Sequence, residues 1–123
     1  MIRRALALAL ALAMIATPAF AHEPRKGPNG GLLVDAGVYH IEIVSSGMTI
    51  DVFVSDSADK PVAAQGFKAT VVLAVAGKSM RVLLTPGGGS RLTGQSESIL
   101  PANPKGAVLL TAPDGKTAQA RLN

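Results

Sequence analysis

Apolar positions along this chain take two forms. The first is an unbroken run, Ala5 to Ala16 (ALALALALAMIA), preceded by Arg3-Arg4 and followed by Pro18 and the triplet Ala19-Phe20-Ala21. A positive start, a short apolar stretch and a small-x-small triplet make a cleavable secretory signal, Met1 to Ala21. The run falls short of the roughly 20 residues that cross a bilayer, so no membrane insertion is expected after cleavage. The second form is alternation. From Leu32 onward, short apolar runs change every other residue and stop at turn signals: Ser45-Ser46-Gly47, Asp59-Lys60-Pro61, Gly77-Lys78, Pro86 to Gly89 and Pro113-Asp114-Gly115. This period of two predicts strands over Leu32 to Ala36, Val38 to Val44, Met48 to Ser55, Phe67 to Ala76, Ser79 to Thr85, Arg91 to Thr93, Ala107 to Ala112 and Thr117 to Leu122. Such spacing implies an all-β fold, a small antiparallel β-sandwich or barrel of about seven to eight short strands. Residues 1–21 are the signal, 22–31 a flexible polar arm (HEPRKGPNGG) and 32–123 a single β-sandwich domain.

One hairpin can be read in detail. Tyr39, Ile41 and Ile43 share one face, with His40 and Glu42 on the other; Ile50, Val52 and Val54 likewise oppose Thr49, Asp51, Phe53 and Ser55. A two-residue turn at Ser46-Gly47 pairs Ile43 with Ile50, Ile41 with Val52 and Tyr39 with Val54, because a one-residue slip would expose one apolar face. The same register sets Glu42 opposite Asp51 and His40 opposite Phe53. Facing carboxylates repel, so a cation is expected beside them. It is either a side chain such as Lys68 or Arg81, or a metal ion that also takes a nitrogen from His40.

Composition narrows the classes. Cleavage removes 21 of 123 residues and leaves 102, enough for one modest core. It also removes Arg3 and Arg4, so ten basic residues face eight acidic ones. That small excess, with few aromatic side chains, argues against nucleic acid. There is no cysteine, so packing alone must stabilise an exported chain and no thiol chemistry is available. No G-x-S-x-G context surrounds any serine, and Gly87-Gly88-Gly89 lies between strands rather than opening a helix, so neither nucleophilic catalysis nor phosphate cradling is indicated. No enzyme is expected.

Two histidines remain, His22 and His40. Cleavage after Ala21 gives His22 a free α-amine beside its imidazole, a bidentate nitrogen pair, and Cu(II) heads the affinity order for such ligands. His40 supplies a third nitrogen. Pro24 lacks an amide proton, so binding through successive deprotonated amides does not apply. The candidate metal ligands are His22, His40, Glu42 and Asp51. Met48 and Met80 offer thioether sulfur for Cu(I), but their alternation places them with core residues.

The segments Gly30-Gly31 with LLVDAG, then VYHIEIV, DVFVSD and DKPV, and finally KGAVLLTAPDGKTAQARL, resemble a small periplasmic β-domain associated with heavy-metal efflux. Such domains occur alone and within periplasmic adaptors of pumps of the resistance-nodulation-division type. The resemblance implies a periplasmic metal-binding accessory linked to heavy-metal handling or efflux. Its partners would be a transition metal ion, most plausibly Cu(II) or another divalent ion, and an efflux adaptor protein. Members often carry a histidine directly before the Gly-Gly pair, where this chain has Asn29. His22 also gives a looser similarity to secreted copper carriers that begin with histidine. The alternative is a metal-free periplasmic interaction module that contacts an efflux or envelope partner through an exposed strand edge or the flat face of His40, Glu42, Thr49 and Asp51.

Overall fold

Branched Val, Ile and Thr side chains fill the stretches between turns and pack well on a pleated surface. The structure, a computed structural model that describes residues 24–122, accordingly consists of strands, with no helix among those residues. They are β1 (Arg25–Lys26), β2 (Leu32–Ala36), β3 (Tyr39–Ser46), β4 (Thr49–Ser55), β5 (Lys68–Val75), β6 (Lys78–Pro86), β7 (Arg91–Gln95), β8 (Lys105–Thr111) and β9 (Thr117–Arg121). All pairings are antiparallel, in the order β1-β2-β3-β4-β7-β6-β5-β8-β9. The eight strands expected from alternation are all present. The short β1, within the polar arm, is an addition.

The sheet curls on itself at β6. Residues Lys78 to Leu84 pair with β5, whereas Thr85 and Pro86 pair with Thr93 and Leu92 of β7. One half, β1 to β4 with β7, therefore folds over the other. Ile41, Ile43, Ile50, Val52, Val54 and Leu92 from the first half meet Val71, Leu73, Val82, Leu84, Val108 and Leu110 from the second, all buried. Each such side chain contributes about 1.5–3 kcal/mol on leaving water. Tyr39 and Phe67 pack edge to face at 5.2 Å against this core. The free edges approach where a side chain at Gly37, in the β2–β3 turn, would crowd Ala118 of β9. They diverge at the other end, leaving a cleft of about 520 Å³ between Leu32 and Leu122.

The β3–β4 register differs from the expected one. Ser46 pairs with Thr49, so Gly47 and Met48 form the loop, and Ile43 opposes Val52 while Ile41 opposes Val54. Glu42 faces Phe53, Asp51 faces Val44, and His40 faces Ser55. The expected pairings of Glu42 with Asp51 and His40 with Phe53 are overturned, and with them the argument for a cation between two carboxylates. The slip is two residues. Alternation repeats every two residues, so both registers bury the same face and the pattern cannot separate them. The turn decides. Gly47, at φ +60°, takes the first loop position, where a type II′ turn favours glycine; the expected loop would have put Ser46 there.

Candidate functional site

Glu42 lies on the face of β3 that points away from the core, yet it is only 1 % exposed. The arm covers it. Arg25 and Lys26 pair with Leu33 and Leu32, and the chain then turns back through Gly27 N–H donating to the Gly31 carbonyl at 2.8 Å. Within that turn the Asn29 backbone N–H donates to Glu42 Oε2 at 2.9 Å and the Asn29 side-chain amide to Oε1 at 2.8 Å. The Gly31 N–H adds a bond to Oε2 at 2.8 Å. Three donors thus satisfy a buried carboxylate that would otherwise be costly. Glycine is required by close approach. Any side chain at Gly27 would overlap the Glu42 carboxyl, and one at Gly31 would overlap the Ile43 carbonyl.

His40 precedes Glu42 by two residues and shares its face. It is 8 % exposed. Nδ1 lies 2.7 Å from Asp59 Oδ1, and Nε2 lies 3.2 Å from Asp35 Oδ1. Asp35 is the direct cross-strand partner of His40 on β2. Asp59 comes from the loop after β4, where Asp56 Oδ1 accepts from the Ala58 and Lys60 N–H groups and Asp59 itself adopts φ +62°. Aspartate tolerates that left-handed conformation better than most residues. Arg25 of the arm reaches Asp59 at 3.7 Å.

The two contacts of the ring are not equivalent to a neutral histidine in a simple hydrogen bond. With Nδ1–H donated to Asp59, a neutral ring presents a lone pair at Nε2. That lone pair would face a carboxylate oxygen 3.2 Å away. In the other tautomer Nε2–H donates to Asp35 instead; a metal ion between the two atoms is the alternative. The 3.2 Å spacing fits an ordinary N–H···O hydrogen bond, and equally the nitrogen and oxygen ligands of one ion, which stand roughly 2.9–3.4 Å apart when each is about 2.0–2.2 Å from it.

The remaining candidates are placed elsewhere. Asp51, opposite Val44, is four residues along β3 from His40, about 13 Å away, and its Oδ1 lies 3.6 Å from Arg91 Nη1. Glu42 is occupied by the arm. Met48 is half-exposed at the β3–β4 turn and Met80 packs at the core margin. His22 lies outside the described residues. Among the described residues, no group of three or more His, Cys, Asp or Glu is arranged to hold a metal ion. The face of His40, Glu42, Thr49 and Asp51 is not the flat open surface the alternation implied, since the arm and the 56–61 loop cover its first two members.

Sequence reasoning passed over Asp35 and read Asn29 only as the place of an absent histidine. The signal for Asp35 was available, because a hairpin at Gly37-Val38 sets it across from His40. Asp59 was read only as turn punctuation, and nothing local shows that the loop folds back onto β3. No family model, curated protein or solved structure matches the chain.

Proposed function

We propose that this chain is a periplasmic metal-binding accessory protein that takes Cu(II) or another divalent transition ion and serves heavy-metal handling or efflux. The observation that carries this reading is the 3.2 Å separation of His40 Nε2 and the Asp35 carboxylate, with Asp59 holding Nδ1 from behind. Ligating histidines commonly donate their second ring N–H to a carboxylate, which fixes the ring and raises its basicity. His40 and Asp35 give one nitrogen and one oxygen, so further donors must come from water or another part of the chain. His22 stands two residues before Pro24, a span of at most about 7 Å. Arg25, just beyond, contacts the Asp59 carboxylate that holds His40. The α-amine and imidazole of a cleaved terminus are the donors this reading assigns to the remaining positions.

Titration of Cu(II) into the cleaved protein, and into a version with one extra N-terminal residue, tests the assignment. The reading expects weaker binding in the extended version and in His40→Ala with the fold intact. Equal affinity in all three would sink it.

A second reading, a metal-free interaction module, is favoured by the commitment of Glu42 to the arm. In that case the contacts of His40 with Asp35 and Asp59 are a clamp for the arm and the 56–61 loop, and copper titration shows no stoichiometric binding.

A further inference from the structure

The strands of the second half of the sheet carry basic residues and no acidic ones. Strands β5, β6, β8 and β9 contain no Asp or Glu, whereas β2 to β4 carry Asp35, Glu42 and Asp51. Register places Arg81, Val72, Ala107 and Arg121 in one row across the four strands, and Leu83, Thr70, Leu109 and Gln119 in the next. Lys105 and Lys68 close the two ends of the grid, opposite Ala74 and Thr111. All four cations are exposed, and no carboxylate among the described residues lies within ion-pair distance of any of them. Leu83 is 62 % and Leu109 44 % exposed on the same face, in the row beside Arg81 and Arg121. A solvated strand face would carry polar residues there.

We infer that this face binds an anionic bilayer surface. The grid measures about 14 Å across the strands and about 20 Å along them, on the order of 300 Å². That is well below the roughly 800 Å² per partner of a stable protein interface. The face is the outward side of the curled sheet rather than a groove, and no aromatic ring is present on it for stacking nucleobases. It offers fixed positive charges and apolar side chains without a shaped recess. A headgroup layer complements that pattern, because its phosphates rearrange laterally beneath the four cations while Leu83 and Leu109 dip toward the acyl boundary. The inference is independent of metal binding, since the face lies on the half of the sheet away from His40.

Co-sedimentation of the chain from His22 onward, without the signal segment, with phosphatidylglycerol–phosphatidylcholine vesicles tests it. Binding is expected to these vesicles and not to phosphatidylcholine alone, and to vanish near about 1 M salt, where the screening length is about 3 Å. Each surface charge is worth about fivefold in partitioning, so Arg81→Gln with Arg121→Gln should reduce it about 25-fold. Leu83→Ser with Leu109→Ser should weaken it while keeping the salt dependence, and Lys60→Gln should leave it unchanged. Circular dichroism confirms the fold of each variant. Equal binding to neutral vesicles overturns the proposal, as does full binding by the double arginine variant. Binding to polyglutamate without binding to vesicles overturns it in favour of an acidic protein partner.

Discussion

Asn29 donates both its backbone N–H and its side-chain amide to the carboxylate of Glu42, at 2.9 and 2.8 Å. This pairing converts a charged residue in the middle of β3 into the anchor of the N-terminal arm. It also makes Asn29 a structural residue in this chain. The first consequence concerns stability. Glu42→Ala leaves three donors without a partner and opens a space beneath Gly27, at a cost of about 2–4 kcal/mol. For a domain of this size the melting temperature should fall by about 10–20 °C. Glu42→Gln keeps the volume but turns an amide N–H₂ toward the donors, and should cost about 1–2 kcal/mol. Thermal melts followed by circular dichroism check both values.

Gly27→Ala should act more locally. Its methyl group would overlap the Glu42 carboxyl, so arm or carboxylate must move. Overpacking of this kind costs about 1–3 kcal/mol. The arm holds only two strand residues and a short turn, and should yield before the core does. Trypsin provides the readout: cleavage after Arg25 and Lys26 should accelerate sharply, while the fragment from Gly27 onward stays resistant. Cleavage throughout the chain would mean instead that the arm is integral to global stability.

The fold was largely legible because alternation identifies buried faces directly. Ile41, Ile43, Ile50, Val52 and Val54 occupy the core as their spacing implies. Register was not legible, because Glu42 opposite Asp51 and Glu42 opposite Phe53 bury the same residues. Only the conformational demand of Gly47 separates them. The candidate site was partly legible. His40 was identified, and its neighbour Asp35 follows from the β2–β3 hairpin. Asp59, 19 residues away in sequence, reaches His40 through the folding of a loop, a tertiary contact that no local period encodes. Burial of Glu42 was hidden for the same reason, since a two-residue strand in a Pro- and Gly-rich arm leaves no periodic trace.

The β5–β6 hairpin provides a stabilising substitution. Val75 pairs with Lys78 around a two-residue loop in which Ala76 has φ +50° and Gly77 φ +76°. Two positive φ values define a type I′ turn, whose favoured sequence is Asn-Gly. Alanine at the first position is strained, whereas asparagine tolerates it. Ala76 is exposed, so Ala76→Asn meets no packing penalty and should raise stability by about 0.5–1 kcal/mol. Chemical denaturation should show a higher midpoint with an unchanged slope. A lower midpoint would count against the turn geometry.

The His40 cluster separates a ligand from the residue that positions it. If His40 Nε2 and Asp35 hold the ion, Asp35→Asn removes an anionic donor and Asp59→Asn only removes the acceptor that orients Nδ1. Loss of such an orienting carboxylate typically lowers metal affinity about 10–100-fold without changing the donor set. Asp59→Asn should therefore weaken Cu(II) binding by that factor while leaving the Cu(II) electron paramagnetic resonance spectrum at saturation close to wild type. Asp35→Asn should change the spectrum itself, because an oxygen donor is lost from the coordination sphere. Arg25→Gln supplies the electrostatic control. Its contact with Asp59 is long, at 3.7 Å, and solvent-exposed on both sides, so removing it should alter affinity less than twofold to threefold. Identical spectra for Asp35→Asn and wild type would remove Asp35 from the ligand set and leave the cluster as the clamp that joins β2, β3 and the 56–61 loop.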